Sequence, residues 1–463
     1  MEHNVSPANQ PLPLKNQILY GFSDMAGNPI YTIMISFLTF FYTDVLGLNP
    51  AAVGSLILIS KVFDGFSDIA AGTIVDNTLT KTGSARPWIL RSAIPLAASF
   101  ILLFTVPDIG TAGKLIYIFV SYNFAMSVCY TIFNAAANAL PLYATNDSVS
   151  RSAAFAYRVI IGGLIQLILT VFFMNLVDLF GGNQRAWVII AIILACITLL
   201  GSIITYFSME EKANPKLLHA ASESEKNESK TPVLVSIRAL LKNKYWKMLL
   251  VLLACVLFHQ VATLTVGVYY ATWILEDKLL AGQVALFHTV PMLLSLCLVP
   301  FLLRKNLSKQ RICVVCTVLM LTGGLLGIVS GESRVLFYAS LIFRGAGYGV
   351  IVSLINGMVG DSLFYGEWKT GVSTRAIGAC AFTFVQKIIS GLVVAVFGMI
   401  LGNLGYDGLA PAQPGPVLTF IRLFFLSAPV ILYLLQLIVL HFYKLDREMP
   451  EVIHELSKNG SVY

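Results

Sequence analysis

Apolar residues gather along the chain into long blocks separated by short polar loops. Twelve blocks stand out, near 18–43, 51–75, 87–107, 112–140, 152–178 and 185–208, then near 244–273, 283–303, 311–330, 334–360, 372–402 and 416–443. A helix needs about 20 mostly apolar residues to cross the hydrocarbon core of a bilayer. The pattern therefore predicts an all-α membrane protein of twelve transmembrane helices. One interval, Glu210 to Lys242, is long and contains the polar stretch Ala221 to Lys230. It divides the chain into a six-helix bundle over 1–208, a cytoplasmic linker over 209–243, and a second six-helix bundle with a short cytoplasmic tail over 244–463. Equal halves suggest an old duplication, a transporter plan in which the site forms at the midplane where the repeats meet.

Loop charge gives the orientation. Lys81, Arg86 and Arg91 flank the second and third blocks, and Arg151 follows the fourth. Lys212, Lys216, Lys226, Lys230, Arg238, Lys242, Lys244 and Lys247 fill the linker region. Arg304, Lys305, Lys309 and Arg311 follow the eighth block, Lys369 and Arg375 the tenth, and Lys444, Arg447 and Lys458 end the chain. The opposite loops hold little beyond Lys114, Arg185, Lys278 and Arg334. The positive-inside rule then places both termini in the cytoplasm, and the unbroken alternation fits an even span count.

Composition agrees with this reading. Hydrophobic residues make up 57% of the chain and charged residues 12%, against about 25% charged in a soluble domain, and the mean hydropathy is +0.78. The net charge of +7 does not point to nucleic acid, because the basic residues lie in short loops and form no stripe on a soluble domain. Met1 to Lys15 lacks the features of a cleaved signal, so the first block is expected to act as an uncleaved anchor. All seven cysteines sit in apolar segments; Cys313 and Cys316 form a C-x-x-C without a histidine or second pair, which reads as helix packing. The six histidines show no ligand spacing, and His259 is a candidate pocket residue that reads more simply as a satisfied packing histidine. No nucleophile with a base and no phosphate-binding glycine loop appears, so the chain is not expected to be an enzyme or to carry a cofactor. Paired halves with few pore-lining rings fit a carrier better than a channel.

A charge inside the bilayer costs several kcal/mol, so every ionisable residue in a block is a functional candidate. The first half offers Asp24, Lys61, Asp64, Asp68 and Arg158; the second offers Arg344, Asp361 and Lys387. Lys61, Asp64 and Asp68 share one helical face by their i, i+3, i+7 spacing. Two carboxylates a turn apart in a low dielectric call for a cation between them or a proton on one of them. Both describe a coupling site, whereas an ion-pair network that only fixes packing leaves one lysine to neutralise two aspartates. Arg158 and Lys387 are donors to hydroxyls or to an acidic group of a solute, or else partners of Asp24 and the second-block aspartates. Arg344, beside Gly345, Gly347 and Gly349, reads as close helix packing. Asn28, Asn134, Asn138, Gln260 and Gln386 supply amides, and Tyr20, Tyr31, Tyr157, Tyr269 and Tyr270 supply hydroxylated rings, a mixture suited to a sugar. Charged latches on the cytoplasmic side are expected from Lys81 to Arg86, Asp147 to Arg151 and Glu367 to Arg375, with Lys369 among them and Asp361 nearby.

Several spaced motifs resemble one family along essentially the whole chain. They are Tyr20-Gly21-Phe22, Phe41-Tyr42-Thr43-Asp44-Val45-Leu46-Gly47-Leu48, Asp64-Gly65-Phe66-Ser67-Asp68, Arg86-Pro87-Trp88, Tyr130-Thr131-Ile132, Tyr157-Arg158, Tyr365-Gly366-Glu367-Trp368-Lys369-Thr370-Gly371 and Gln386-Lys387. The chain is similar to the glycoside–pentoside–hexuronide cation symporters of the major facilitator superfamily, which include the melibiose permease. The resemblance implies two six-helix bundles that rock about a central site, and a monomer that takes a sugar together with a sodium ion or a proton. It implies that Asp64, Asp68 and Thr131 bind the cation, with Ser67 where the melibiose permease has a cation-site asparagine. It implies that Arg158 and Lys387 line or gate the sugar cavity, next to Asn28, Asn134 and Asn138. Those three asparagines replace two sugar-binding aspartates and a stacking tryptophan of that permease. Loss of two carboxylates beside Arg158 and Lys387 predicts a more positive cavity and a solute with an acidic group, such as a hexuronide, unless Asp24, on the same helical face as Asn28, restores one charge. A lipid or drug carrier of the same superfamily is the alternative, and the polar inventory disfavours it. Asn134 in place of a carboxylate leans toward the proton, while Thr131 and Ser67 would suit sodium.

Overall fold

A computed structural model describes residues 11–78, 80–145, 147–211, 233–304, 307–372, 374–449 and 451. Its architecture is helical throughout. Backbone amides and carbonyls in hydrocarbon have no water to bond, and a helix satisfies them within the segment. The chain forms two compact units, one comprising Met1–Glu228 with Gly398–Ala412, the other Ser229–Phe397 with Gln413–Tyr463.

In the first unit the leading apolar block is broken. Helix α1 (Leu14–Gly21) ends at Phe22, α2 (Ser23–Ser36) follows with Pro29 inside it, and a π-turn closes the block over Phe41–Val45. Then come α3 (Pro50–Asp76), α4 (Arg86–Phe104), α5 (Thr111–Asn123), a π-helical turn over Phe124–Tyr130, α6 (Thr131–Ala144), α7 (Ser148–Leu179) and α8 (Gln184–Ser208). Asn49, Asp147 and Asn183 cap α3, α7 and α8 by accepting from first-turn amides. Phe41, Phe104, Phe173 and Trp187 interlock in the apolar core of this unit.

The second unit holds α9 (Val233–Lys242), α10 (Lys244–Leu264), α11 (Val266–Trp273), α12 (Leu280–Leu296), α13 (Val299–Arg304), α14 (Lys309–Val329), α15 (Arg334–Thr370), α16 (Arg375–Asn403, whose last residues fall in the first unit), α17 (Gly415–Arg422) and α18 (Ala428–Phe442). Small residues let these helices approach closely. A Cβ on Gly345 would strike the carbonyl of His288 on α12, and one on Gly347 would meet the Cys316 carbonyl on α14 at 2.5 Å. The glycine run beside Arg344 is thus a packing seam, as its spacing predicts. The linker behaves differently from expectation at its end: α9 is an amphipathic helix that buries Ser236, Ala239 and Leu240 and exposes Val235, Ile237 and Leu241.

Among the described residues, nine helices are long and apolar enough to cross a membrane. The expected spans outside that set are the first, broken at Phe22 and Phe37, the second, whose apolar run carries Lys61, Asp64 and Asp68, and the eighth, interrupted between α12 and α13. Lys212, Lys216, Lys226, Lys230, Lys305 and Lys458, and the stretch Ala221 to Lys230, lie outside the described residues.

Candidate functional site

Polar residues from several helices of the first unit converge into two clusters. The first cluster centres on Asp64, which is 2% exposed. Lys61 Nζ lies 3.2 Å from Asp64 Oδ2, one turn back on α3. On the facing π-turn, the Ser127 hydroxyl donates to Asp64 Oδ1 at 2.5 Å. Ser127 also donates to Asn123 Oδ1 at 3.3 Å, and the Asn123 amide donates to Ser60 Oγ at 2.9 Å. A π-turn inserts one residue into the helical count and re-aims the side chains after it, a device common at functional sites. Here it turns Ser127 onto Asp64.

The other expected cation-site residues sit around this pair. Ser67 donates to the Asp64 backbone carbonyl at 3.0 Å, and Asp68 is half-buried one turn on. Thr131 is buried, and its hydroxyl donates to the Met126 carbonyl at 2.9 Å across the π-turn. Ser127 and Asn123 are the residues that sequence reasoning passed over. The signal was present, because 123, 127, 131, 134 and 138 lie on one face of a continuous helical run.

The second cluster centres on Arg158 of α7. Its Nε meets Asp24 Oδ1 at 2.5 Å, its Nη1 donates to Asn138 Oδ1 at 2.6 Å, and its Nη2 to Asn134 Oδ1 at 2.9 Å. Nη1 also reaches the Tyr20 hydroxyl at 3.3 Å, which itself donates to the Ala137 carbonyl. The guanidinium is therefore held on every edge. Gly162, one turn beyond Arg158, makes the room: a Cβ there would collide with Asp24 and with the Asn28 amide. Asn138 stands at the exposed edge, while Asn28 and Asn134 are half-buried.

Tyr31 and Tyr130 stack between the two clusters, with ring centroids 5.9 Å apart and planes 15° from parallel. Tyr130 lies within electrostatic reach of Asp24, Arg158 and Lys61 together. The clusters are neighbours across one aromatic pair.

Asp24 pairs with Arg158 and so restores one of the two lost charges, the alternative that its place on the Asn28 face left open. Tyr270 is buried with its ring stacked 4.5 Å from Phe425 and parallel to Phe337, so aromatic packing occupies the faces a sugar would use. Gln386 and Lys387 belong to the second unit, on α16, exposed and half-buried respectively.

The described contacts of the expected latch residues are local. Arg86 donates to the Tyr206 carbonyl at 3.2 Å and stacks on that ring, while Glu211 accepts the amides of Ser84, Ala85 and Arg86. Glu211 was not expected from the sequence; a carboxylate at a helix N-terminus satisfies its free amides. Asp147 caps α7, and the Ser150 hydroxyl and amide hold its carboxyl below the usual range. Arg151 is half-buried in the first turn of that helix. Asp361 pairs with Lys309 at 2.6 Å, and Lys369 reaches the Tyr365 hydroxyl at 3.3 Å. Lys81 is exposed and Glu367 half-buried. The side chain of Arg375 lies outside the described residues.

These features sit on a chain whose residues 19–447 match the model of the MFS/sugar transport protein family. The chain belongs to that family. It is 28% identical to an isoprimeverose transporter of Lactiplantibacillus pentosus, over 99% of this chain and 96% of that one. It is 26% identical to a glucuronide carrier protein homolog of Escherichia coli, over 98% of each. A solved D-xylose-proton symporter shares the fold, with a TM-score of 0.61 at 13% identity over 93% of this chain and 95% of that one. The expected membership among the glycoside–pentoside–hexuronide cation symporters holds, and the protein is a multi-pass inner-membrane secondary transporter.

Proposed function

We propose that the protein is a cation-coupled symporter of a glycoside, with twelve membrane helices and both termini in the cytoplasm, working by alternating access. The observation that carries this reading is the buried carboxylate Asp64, 2% exposed, which accepts from Lys61 and Ser127 and has Asp68, Ser67 and Thr131 close by along the same two helical runs. These are oxygens suited to one sodium ion, or to one proton held on a carboxylate. A charge in low dielectric is costly, so a cation bound here favours whichever state buries the site most deeply.

Asp64 is the residue on which the cation acts, with Asp68, Ser127, Ser67 and Thr131 as neighbouring oxygens. The Arg158 cluster is the solute end: Asn28, Asn134 and Asn138 read hydroxyls, and Tyr31 and Tyr130 offer a ring face to a pyranose. Cation binding at Asp64 alters the field across Tyr31 and Tyr130 and so the Asp24–Arg158 pair, which links the two ligands thermodynamically. With Arg158 already paired, a neutral glycoside fits this end better than a uronide.

A competition panel tests the solute. Isoprimeverose and other neutral pentosides and hexosides are expected to compete for uptake at lower concentrations than glucuronides. The reverse ranking would restore the acidic solute.

A further inference from the structure

The interior of the second unit contains a polar centre that the transport reading does not use. Arg344, on α15, is fully buried. Among the described residues no carboxylate lies within ion-pair distance of it. Its Nη2 makes a long contact to the Thr263 hydroxyl at 3.5 Å, and the guanidinium lies 5.2 Å from the centroid of the Phe425 ring. Its Nε and Nη1 have no hydrogen-bond partner. Arginine does not shed its proton in proteins, so the charge stays. A cation–π contact supplies at most about 2 kcal/mol, whereas an effective burial penalty of several kcal/mol attends each unpaired ion. The contacts present do not close that gap.

A chain of hydrogen bonds leads to the same place. The Tyr433 hydroxyl lies 2.6 Å from His259 Nδ1, and His259 Nε2 lies 2.9 Å from His288 Nε2. Tyr433 also faces Arg344, which has donors alone, so its oxygen turns a lone pair that way and its proton goes to His259. His259 then carries its proton on Nε2 and donates to His288. His288 in turn carries its proton on Nδ1, and that atom is buried without a partner. His288 is seated against Gly345, the neighbour of Arg344. Beyond the lone pair that Tyr433 turns to Arg344, the buried atoms Arg344 Nε, Arg344 Nη1 and His288 Nδ1 have no hydrogen-bond partner, and His288 lies within electrostatic reach of Arg344.

We propose that Arg344 and His288, with Thr263 beside them, form a structural binding site for a small monovalent anion of chloride's size inside the second unit. The anion neutralises the arginine and accepts the proton at the end of the Tyr433–His259–His288 chain. It pins α10, α12, α15 and α18 together, since each contributes one of these side chains.

The test uses the purified full-length protein, exchanging sodium gluconate for sodium chloride at fixed sodium and ionic strength. Chloride is expected to raise the Tm saturably by several degrees, and bromide to do the same. Crystals soaked in bromide are expected to show one anomalous peak beside Arg344 and His288. Arg344→Met should abolish the Tm response; should it fail to fold, His288→Phe removes one donor and should raise the half-saturating chloride about tenfold. A Tm indifferent to the anion, a bromide peak elsewhere, or an Arg344 bonded to ordered water alone would overturn the proposal. No arm uses a transported solute, so the transport reading can fail without this one failing.

Discussion

Arg158 shows how a buried charge is tolerated at the scale of one residue. Four of its five N–H donors meet Asp24, Asn134, Asn138 and the Tyr20 hydroxyl, so the charge is paired and most of its hydrogen-bonding capacity is used. Removing one partner of such a pair costs roughly 3 kcal/mol or more, while removing both costs far less. Asp24→Asn and Arg158→Gln should each lower the Tm by several degrees, and the double variant should recover much of the loss. Additive losses in that cycle would mean that the two residues do not act as a pair. Ser127 gives a second handle, because its hydroxyl donates to the carboxylate proposed to take the cation. Ser127→Ala removes an oxygen ligand, so a sodium-coupled carrier should need about tenfold more sodium for half-maximal uptake, in line with a charge-assisted bond of about 1.5 kcal/mol or more. A proton-coupled carrier should keep its uptake. Asp64, Arg158 and their asparagines were legible in the sequence as charges and amides in apolar runs. Which carboxylate faced which cation was not, because helical spacing fixes the face of one helix and says nothing of the helix opposite.

At the scale of elements, helix ends decide what several loop charges do. Asp147 spends its carboxylate on the first turn of α7, accepting from Ser150. The carboxyl is held below its ordinary value, so its contribution is present above that value and disappears as pH falls through the depressed one. Asp147→Ala should therefore lower the Tm at neutral pH, with the difference closing below the usual carboxylate range. A pH-independent difference would point to a role other than capping. The apolar blocks located the helices well, since each long run had to satisfy its backbone internally. The breaks at Phe22 and Phe37, the π-turn before Thr131 and the helix α9 were missed, because local hydropathy does not register one inserted residue or a change of helix type. Those breaks place Asp24 and Ser127, so the part of the fold hardest to read is the part that positions the site.

At the scale of the molecule, the two units divide the chemistry. The first collects Lys61, Arg158, Asp24 and Asp64 around Tyr31 and Tyr130; the second buries Arg344 and two histidines, with no carboxylate in ion-pair distance of Arg344 among the described residues. Family membership places both in a sugar transporter, and the coupling proposed above rests on the buried carboxylate Asp64 of the first unit. Uptake of labelled isoprimeverose into oriented membrane vesicles, under an imposed sodium gradient and then an imposed proton gradient, tests this most directly. Wild type should accumulate the sugar against its gradient with one of the two ions, while Asp64→Asn and Asp68→Asn should equilibrate it without accumulation. Uphill accumulation that survives both substitutions would contradict the account.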